Sequence, residues 1–274
     1  MQKLWMHPRF GQVSYEDAGT GPALVLLHGF PFSSSIFQQL VEALAGTYRL
    51  IAPDFPGAGS TSALSRPEEA SMEMLADLVK MILDQEKVQQ CVLTGHSMGG
   101  YVALAFAAAF PERLKGLCLL HSTAYDDSEE KKQARIRSIQ FIQTHGSELF
   151  LKQMVPGLFA SHFAHTHSEL VNQIVKQSQR IPAEMLIGYY KAMLKRPDRS
   201  YVLRTLKVPV AFIFGKEDAS LLLEQALTQV SLPSDSTVHI LEQTGHMSML
   251  EQPRLWRLLH YFMDYCETCL AGKT

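Results

Sequence analysis

Six consecutive residues, Gly95-His96-Ser97-Met98-Gly99-Gly100, set a hydroxyl between glycines two positions before and two positions after it. An apolar, strand-like run precedes them and a helical run follows. A serine at such a junction projects its hydroxyl from a tight strand-to-helix turn, and the turn crowds the backbone, so the flanking positions must be small. The helix that starts at Met98 would aim free N–H groups and the positive end of its dipole at the same place, where both favour a developing oxyanion. Nucleophilic attack on a carbonyl is the chemistry this arrangement serves.

A serine needs a base, and the base needs an orienter. Thr244-Gly245-His246 follows the last apolar strand and shortly precedes the last helix, which singles out His246 among eleven histidines. Asp218, in Gly215-Lys216-Glu217-Asp218, stands just past the strand Val210 to Phe214 and can hold the far nitrogen of an imidazole. Its neighbour Glu217 is the rival acid.

Across nearly its whole length the chain resembles an α/β-hydrolase. His28-Gly29-Phe30-Pro31 resembles that family's oxyanion loop, and Asp54-Phe55-Pro56-Gly57-Ala58-Gly59-Ser60 its D-x-x-G-x-G-x-S turn. Gly95 to Gly100 resembles the nucleophile elbow, Gly215 to Asp218 the acid turn, and Gly245-His246 with Glu251 and Pro253 the G-H-x-x-x-x-E-x-P end. The chain order Ser, Asp, His is also that of the family. The resemblance implies a Ser97–His246–Asp218 triad, with the backbone N–H groups of Phe30 and Met98 as the oxyanion hole. One departure is Ala219-Ser220-Leu221, which lacks the proline that many relatives carry after the acid.

The elements that must position these residues alternate. Strands are expected at Gln12 to Asp17, Ala23 to His28, Tyr48 to Ala52, Cys91 to Thr94, Leu117 to Leu120, Val210 to Phe214 and Thr237 to Leu241. Their continuous apolar runs suit a parallel sheet covered on both faces. Helices are expected at Ser35 to Ala45, Ser71 to Asp84, Met98 to Phe110, Leu221 to Val230 and Pro253 to Thr268. Between residues 124 and 204 the alternation stops and the pattern is all-helical. Asp127 or Ser128 would cap a helix to Thr144, Ser147 to Val155 and Ser168 to Gln179 would follow, and Pro182 would open a helix over Ala183 to Lys195. The expected architecture is therefore α/β: a mostly parallel, twisted sheet with helices on both faces, formed by residues 1–123 and 205–274. Residues 124–204 would be a helical cap inserted over the carboxyl ends of the strands.

The chain of 274 residues is long enough to bury a core without metal or disulfide. Its net charge of -2 gives no reason to bind nucleic acid or a membrane surface. The N-terminal segment lacks the apolar run of a signal peptide, so a cytoplasmic protein is expected. Cys91 and Cys118 read as small buried hydrophobes, and Cys266 and Cys269 as reduced thiols on a helix.

Other groups invite roles. Gly57-Ala58-Gly59 is followed by Ser62 where a dinucleotide fingerprint requires glycine. Asp54 reads as structural, and His28 as the maker of a structural hydrogen bond. His162, His165 and His167 read as a solvated loop rather than a metal site. Met98, Met247 and Met249 could line an apolar pocket or simply pack. Phe159, Phe163, Tyr189 and Met193 face the same choice in the cap.

The function expected is hydrolysis of a carboxylic ester or lactone of a small to medium molecule through an acyl-enzyme, chemistry that needs no metal or organic cofactor. Two alternatives use the same residues: a carbon–carbon bond hydrolase of the meta-cleavage type, and a ligand receptor that retains the triad. Nothing in the sequence specifies an oligomeric state.

Overall fold

The computed structural model describes residues 1–271. Eight strands form one sheet: β1 (Gln2–His7), β2 (Gly11–Ala18), β3 (Ala23–Leu27), β4 (Arg49–Pro53), β5 (Cys91–His96), β6 (Leu114–Leu120), β7 (Val210–Gly215) and β8 (Ser236–Leu241). Their order is β1-β2-β4-β3-β5-β6-β7-β8. The pairings β1–β2 and β2–β4 are antiparallel, and every other pairing is parallel. Strands β3, β5 and β7 are buried at every residue, as strands covered on both faces must be.

The covering helices are α1 (Gln38–Leu44), α2 (Met72–Gln85), α3 (Met98–Ala109) and, at the far end of the chain, a long helix over Leu255–Ala271. Helix α2 pairs with α3, and α1 with the Leu255–Ala271 helix. Ser71 starts α2 by accepting the N–H of Met74 at 3.1 Å, the hydrogen bond an N-cap serine supplies. Cys91 and Cys118 are buried, and burial pushes both thiols up to about 12.

Between β6 and β7 the chain is helical: α4 (Glu129–His145), α5 (Ser147–Met154), α6 (Ser161–Thr166), α7 (Ser168–Ser178), α8 (Ala183–Lys195) and α9 (Ser200–Thr205). This segment is tied to the sheet-bearing part by specific contacts. The Tyr189 hydroxyl donates to Pro56 O at 2.5 Å, and Gly188 lets α8 approach the Pro67 carbonyl, where a methyl group would lie 2.3 Å from the oxygen. Among the described residues no helix is long and apolar enough to cross a membrane.

Several details differ from expectation. Strand β1 adds an edge to the sheet: its side chains alternate between exposed and half-buried, with Leu4 and Met6 exposed, so it lacks the apolar run that marks the central strands. Ser128, not Asp127, caps α4, because the Asp127 carboxylate is held by Arg135 and Arg196. Pro182 is the residue before α8 rather than its first residue. The helix expected over Leu221 to Val230 is only α10 (Leu223–Leu227), since Leu222 points to solvent and leaves the apolar face incomplete. A one-turn helix, α11 (Ser248–Glu251), precedes the Leu255–Ala271 helix, which is α12.

Candidate active site

The carboxyl ends of β3, β5, β6, β7 and β8 lie side by side, and the turns that leave them carry Phe30, Ser97, His121, Asp218 and His246 in that order. An open parallel sheet presents its site at this edge.

Ser97 joins β5 to α3 with φ 52° and ψ −116°. Such a conformation is strained for a side chain other than glycine and is tolerated where the surroundings over-determine it. Three glycines make room for the turn. A methyl group at Gly95 would lie 2.4 Å from Gly99 O, and one at Gly99 would lie 2.2 Å from Leu27 O. One at Gly29 would meet His96 Nδ1 at 2.7 Å and Ser97 Cβ at 3.0 Å. The turn after β3 therefore presses against the Ser97 turn. As the first residue of α3, Met98 has no intrahelical acceptor for its N–H.

His246 Nδ1 bonds Asp218 Oδ2 at 2.7 Å. The other carboxylate oxygen, Oδ1, accepts the backbone N–H groups of Ser220 (2.8 Å) and Leu221 (3.0 Å). The Ala219-Ser220-Leu221 stretch thus grips the carboxylate without the proline of other sequences. Glu217 is exposed, and its backbone N–H donates to Thr244 O. Of the two acids, Asp218 alone bonds His246.

The His246 loop is fixed from three sides. His246 N–H donates to Leu158 O at 2.6 Å, and its own carbonyl accepts His96 Nε2–H at 2.9 Å. Glu251 accepts three backbone N–H groups, from Ala160 (2.9 Å) and Gly245 (3.0 Å) on Oε2 and from Met247 (3.0 Å) on Oε1. These bonds flank His246 in sequence and join its loop to the helical segment. Burial still raises the Glu251 carboxyl above its ordinary value, with the three N–H groups opposing. Ser97 is half-buried, and among the described residues its hydroxyl makes no hydrogen bond. His96, the residue before it, packs its ring 4.9 Å from that of His246.

One polar residue here has no counterpart among the sequence-derived candidates. His121, in the turn after β6, is buried and has φ 51°. Its Nδ1 lies 3.1 Å from Asp218 Oδ2 and its Nε2 2.8 Å from Ser248 Oγ. Burial holds the His121 imidazole below its ordinary value, favouring the neutral form, against the pull of Asp218. Burial alone would raise the Asp218 carboxyl. The charge of His246 and the hydrogen bonds from His121 and His246 outweigh it and keep the group far below the usual carboxylate range. The donor atoms of His121, Asp218 and His246 lie within 4.8 Å of one another, a spacing that would suit a metal ion. The shared carboxylate oxygen, however, is already taken by two N–H donors, so the cluster is a hydrogen-bonded one.

The remaining candidates fall into place as supports. His28 Nδ1–H donates to Gly29 O, and Nε2 accepts Phe55 N–H at 2.9 Å. Asp54 accepts Ser34 N–H at 2.8 Å. Met98, Met247 and Met249 are all buried in the core. Phe159 stacks on Phe163, and Phe163 on His167. Met193 accepts a hydrogen bond from Arg135. The ring of the inserted helical segment that meets the turn after β3 is Tyr190, whose centroid is 4.6 Å from Phe30, rather than its neighbour Tyr189.

Residues 22–253 match the model of the α/β hydrolase fold family. The structure is similar to a thermophilic esterase from Thermogutta terrifontis, with a TM-score of 0.89, 28% identity and coverage of 97% of this chain and 99% of that one. It shares its fold with the enol-lactonase from Burkholderia xenovorans LB400, with a TM-score of 0.85, 20% identity and coverage of 92% and 96%. In sequence it is 25% identical over 262 residues to a 2-hydroxy-6-oxo-6-phenylhexa-2,4-dienoate hydrolase from Burkholderia cepacia, spanning 88% of this chain and 86% of that one. With the family model spanning most of its length, this chain belongs to the α/β hydrolase fold family.

Proposed function

We propose that the protein is a serine hydrolase that cleaves a carboxylic ester or lactone of a small to medium molecule. The observation that carries this reading is the pairing of His246 with Asp218 beside a serine held in a strained turn. In the reaction, His246 Nε2 takes the Ser97 hydroxyl proton as Oγ attacks the carbonyl carbon. The N–H groups of Phe30 and Met98 stabilise the tetrahedral oxyanion, and His246 gives its proton to the departing alkoxide. Water, deprotonated by His246, then attacks the acyl-enzyme and releases the acid. Asp218 holds the imidazole by Nδ1 throughout and stabilises its charged form. Neither a metal nor an organic cofactor enters any step. The helices of residues 124–204 act as a cap over the serine and select the substrate. Likeness to the Thermogutta esterase supports the ester reading.

The test is a panel of nitrophenyl esters, lactones and vinylogous diketones assayed with parent protein and Ser97→Ala. Ester or lactone turnover is expected in the parent. Loss of about 10³-fold or more is expected in the variant, together with loss of labelling by a fluorophosphonate. An equally active Ser97→Ala, or a label on another residue, overturns the assignment. A second reading, carbon–carbon cleavage of a dienoate, is favoured by the Burkholderia cepacia relative. Turnover of the diketones with no ester turnover would select it.

A further inference from the structure

Asp218 Oδ2 serves two imidazoles at once. His246 approaches it from the loop after β8 at 2.7 Å, and His121 from the turn after β6 at 3.1 Å. The triad scheme of the preceding section, on which this inference rests, uses only the first. We infer that His121 is a positioning residue of the site: its Nδ1–H fixes the carboxylate oxygen that orients His246 and draws charge from it.

The tautomer follows from the neighbours. The Gly215 N–H also faces Nδ1, at 3.3 Å, but a lone pair there would face the Asp218 carboxylate oxygen at 3.1 Å, and this closer, charged repulsion decides, so Nδ1 carries the proton. Nε2 then accepts from the Ser248 hydroxyl at 2.8 Å. Ser248 is two residues beyond His246 and wholly buried, so it has no solvent to compete for its proton. His121 thereby bridges the acid turn and the His246 loop. The left-handed backbone at His121 supports the same role. A strained conformation persists where contacts over-determine it, and here it turns the ring toward β7.

Two effects follow for His246. The second donor removes rotational freedom from the carboxylate. It also shares the negative charge that would otherwise act on His246 alone, so the His246 imidazolium is less strongly held. The base then returns its proton to the leaving group more readily. The other polar and titratable groups packed around the pair are His96 at the end of β5, with its ring 6.1 Å from that of His121, Ser248 on α11, and Glu251, which is buried and triply hydrogen-bonded. Burial keeps the His96 imidazole well below its ordinary value. His96 therefore favours its uncharged form.

The test reads the imidazoles directly, in the full-length protein, by NMR of ¹⁵N-histidine. In the parent, His121 is expected to carry its proton on Nδ1 in its neutral form at pH about 8. A proton on Nε2 overturns the proposal. His121→Phe fills the same space without a donor, and the His246 titration midpoint is expected to rise by about half to one pH unit. His121→Asn places an amide N–H where Nδ1 stood and suits the left-handed backbone, so it is expected to restore the parent midpoint. A folded His121→Phe that titrates like the parent shows a purely structural role and overturns the proposal. Should His121→Phe not fold, the tautomer in the parent decides. None of these readouts needs a substrate. A protein without esterase turnover would sink the preceding proposal and leave this test intact.

Discussion

Glu251 Oε2 accepts the backbone N–H of Ala160 at 2.9 Å, joining the loop that carries His246 to the helices inserted between β6 and β7. The carboxylate has two further donors, Gly245 N–H and Met247 N–H, on either side of His246. A glutamine in its place keeps one oxygen but sets an amide N–H against a backbone N–H. Leaving a buried donor unpaired costs about 1–3 kcal/mol. Glu251→Gln is therefore expected to lower stability by that amount in urea unfolding. It is also expected to lower kcat by about tenfold or more, since small displacements of a catalytic group are costly, with KM little changed. A variant with parent kcat would mean that the loop holds His246 without this clamp.

The two adjacent acids make opposite predictions. Asp218 is buried and bonded to His246, whereas Glu217 is exposed. Asp218→Asn keeps the shape of the side chain but offers an amide N–H where His246 needs an acceptor, which favours the wrong tautomer. A fall in kcat of about 10³–10⁴ is expected. Glu217→Gln is expected to stay within about twofold of the parent, as surface changes away from a site do. Steady-state kinetics on one responsive ester reads both, and the reverse pattern would move the acid role to Glu217.

The parts of the site legible in the sequence are those with local grammar. Gly95 to Gly100, Asp218 after a strand and His246 before a helix each announce themselves within a few residues, because the backbone demands of a turn are local. His121 carries no such mark. Its partner is 97 positions away, and the two meet because β6 and β7 pair in parallel with Leu120 opposite Ile213. Tyr190 was illegible for a related reason. Which of two adjacent tyrosines on α8 turns toward Phe30 depends on the roll of the helix against the sheet, and the other, Tyr189, is engaged at Pro56. In the fold, the central strands were legible because burial on both faces makes their apolar runs continuous. Strand β1 was not, because a strand at the edge of the sheet needs no such run.

The deepest charge cluster of the inserted helices sits where they rejoin the sheet. Asp127 receives Arg135 Nε at 2.6 Å and Arg196 Nη2 at 2.9 Å, and the Arg196 guanidinium lies 3.9 Å from the centre of the Tyr101 ring, one turn past Ser97. Burial pushes the Asp127 carboxyl up, but the bonds from Arg196 and Arg135 outweigh it and hold the group at about 2, against an ordinary 3.8. A carboxyl depressed in the folded state contributes stability that is present above its unfolded value and lost as pH falls toward the folded one. The contribution is about 2 kcal/mol, lost between about pH 4 and pH 2. At neutral pH, Asp127→Asn leaves the buried Arg196 and the half-buried Arg135 without their counter-charge, and a loss of about 3–5 kcal/mol is expected. Urea unfolding of parent and variant at neutral pH and again near pH 2.5 checks both statements. The stability gap between the two proteins should narrow by about 2 kcal/mol in acid. A gap that does not change with pH would show that the carboxylate charge contributes nothing and that only its shape matters.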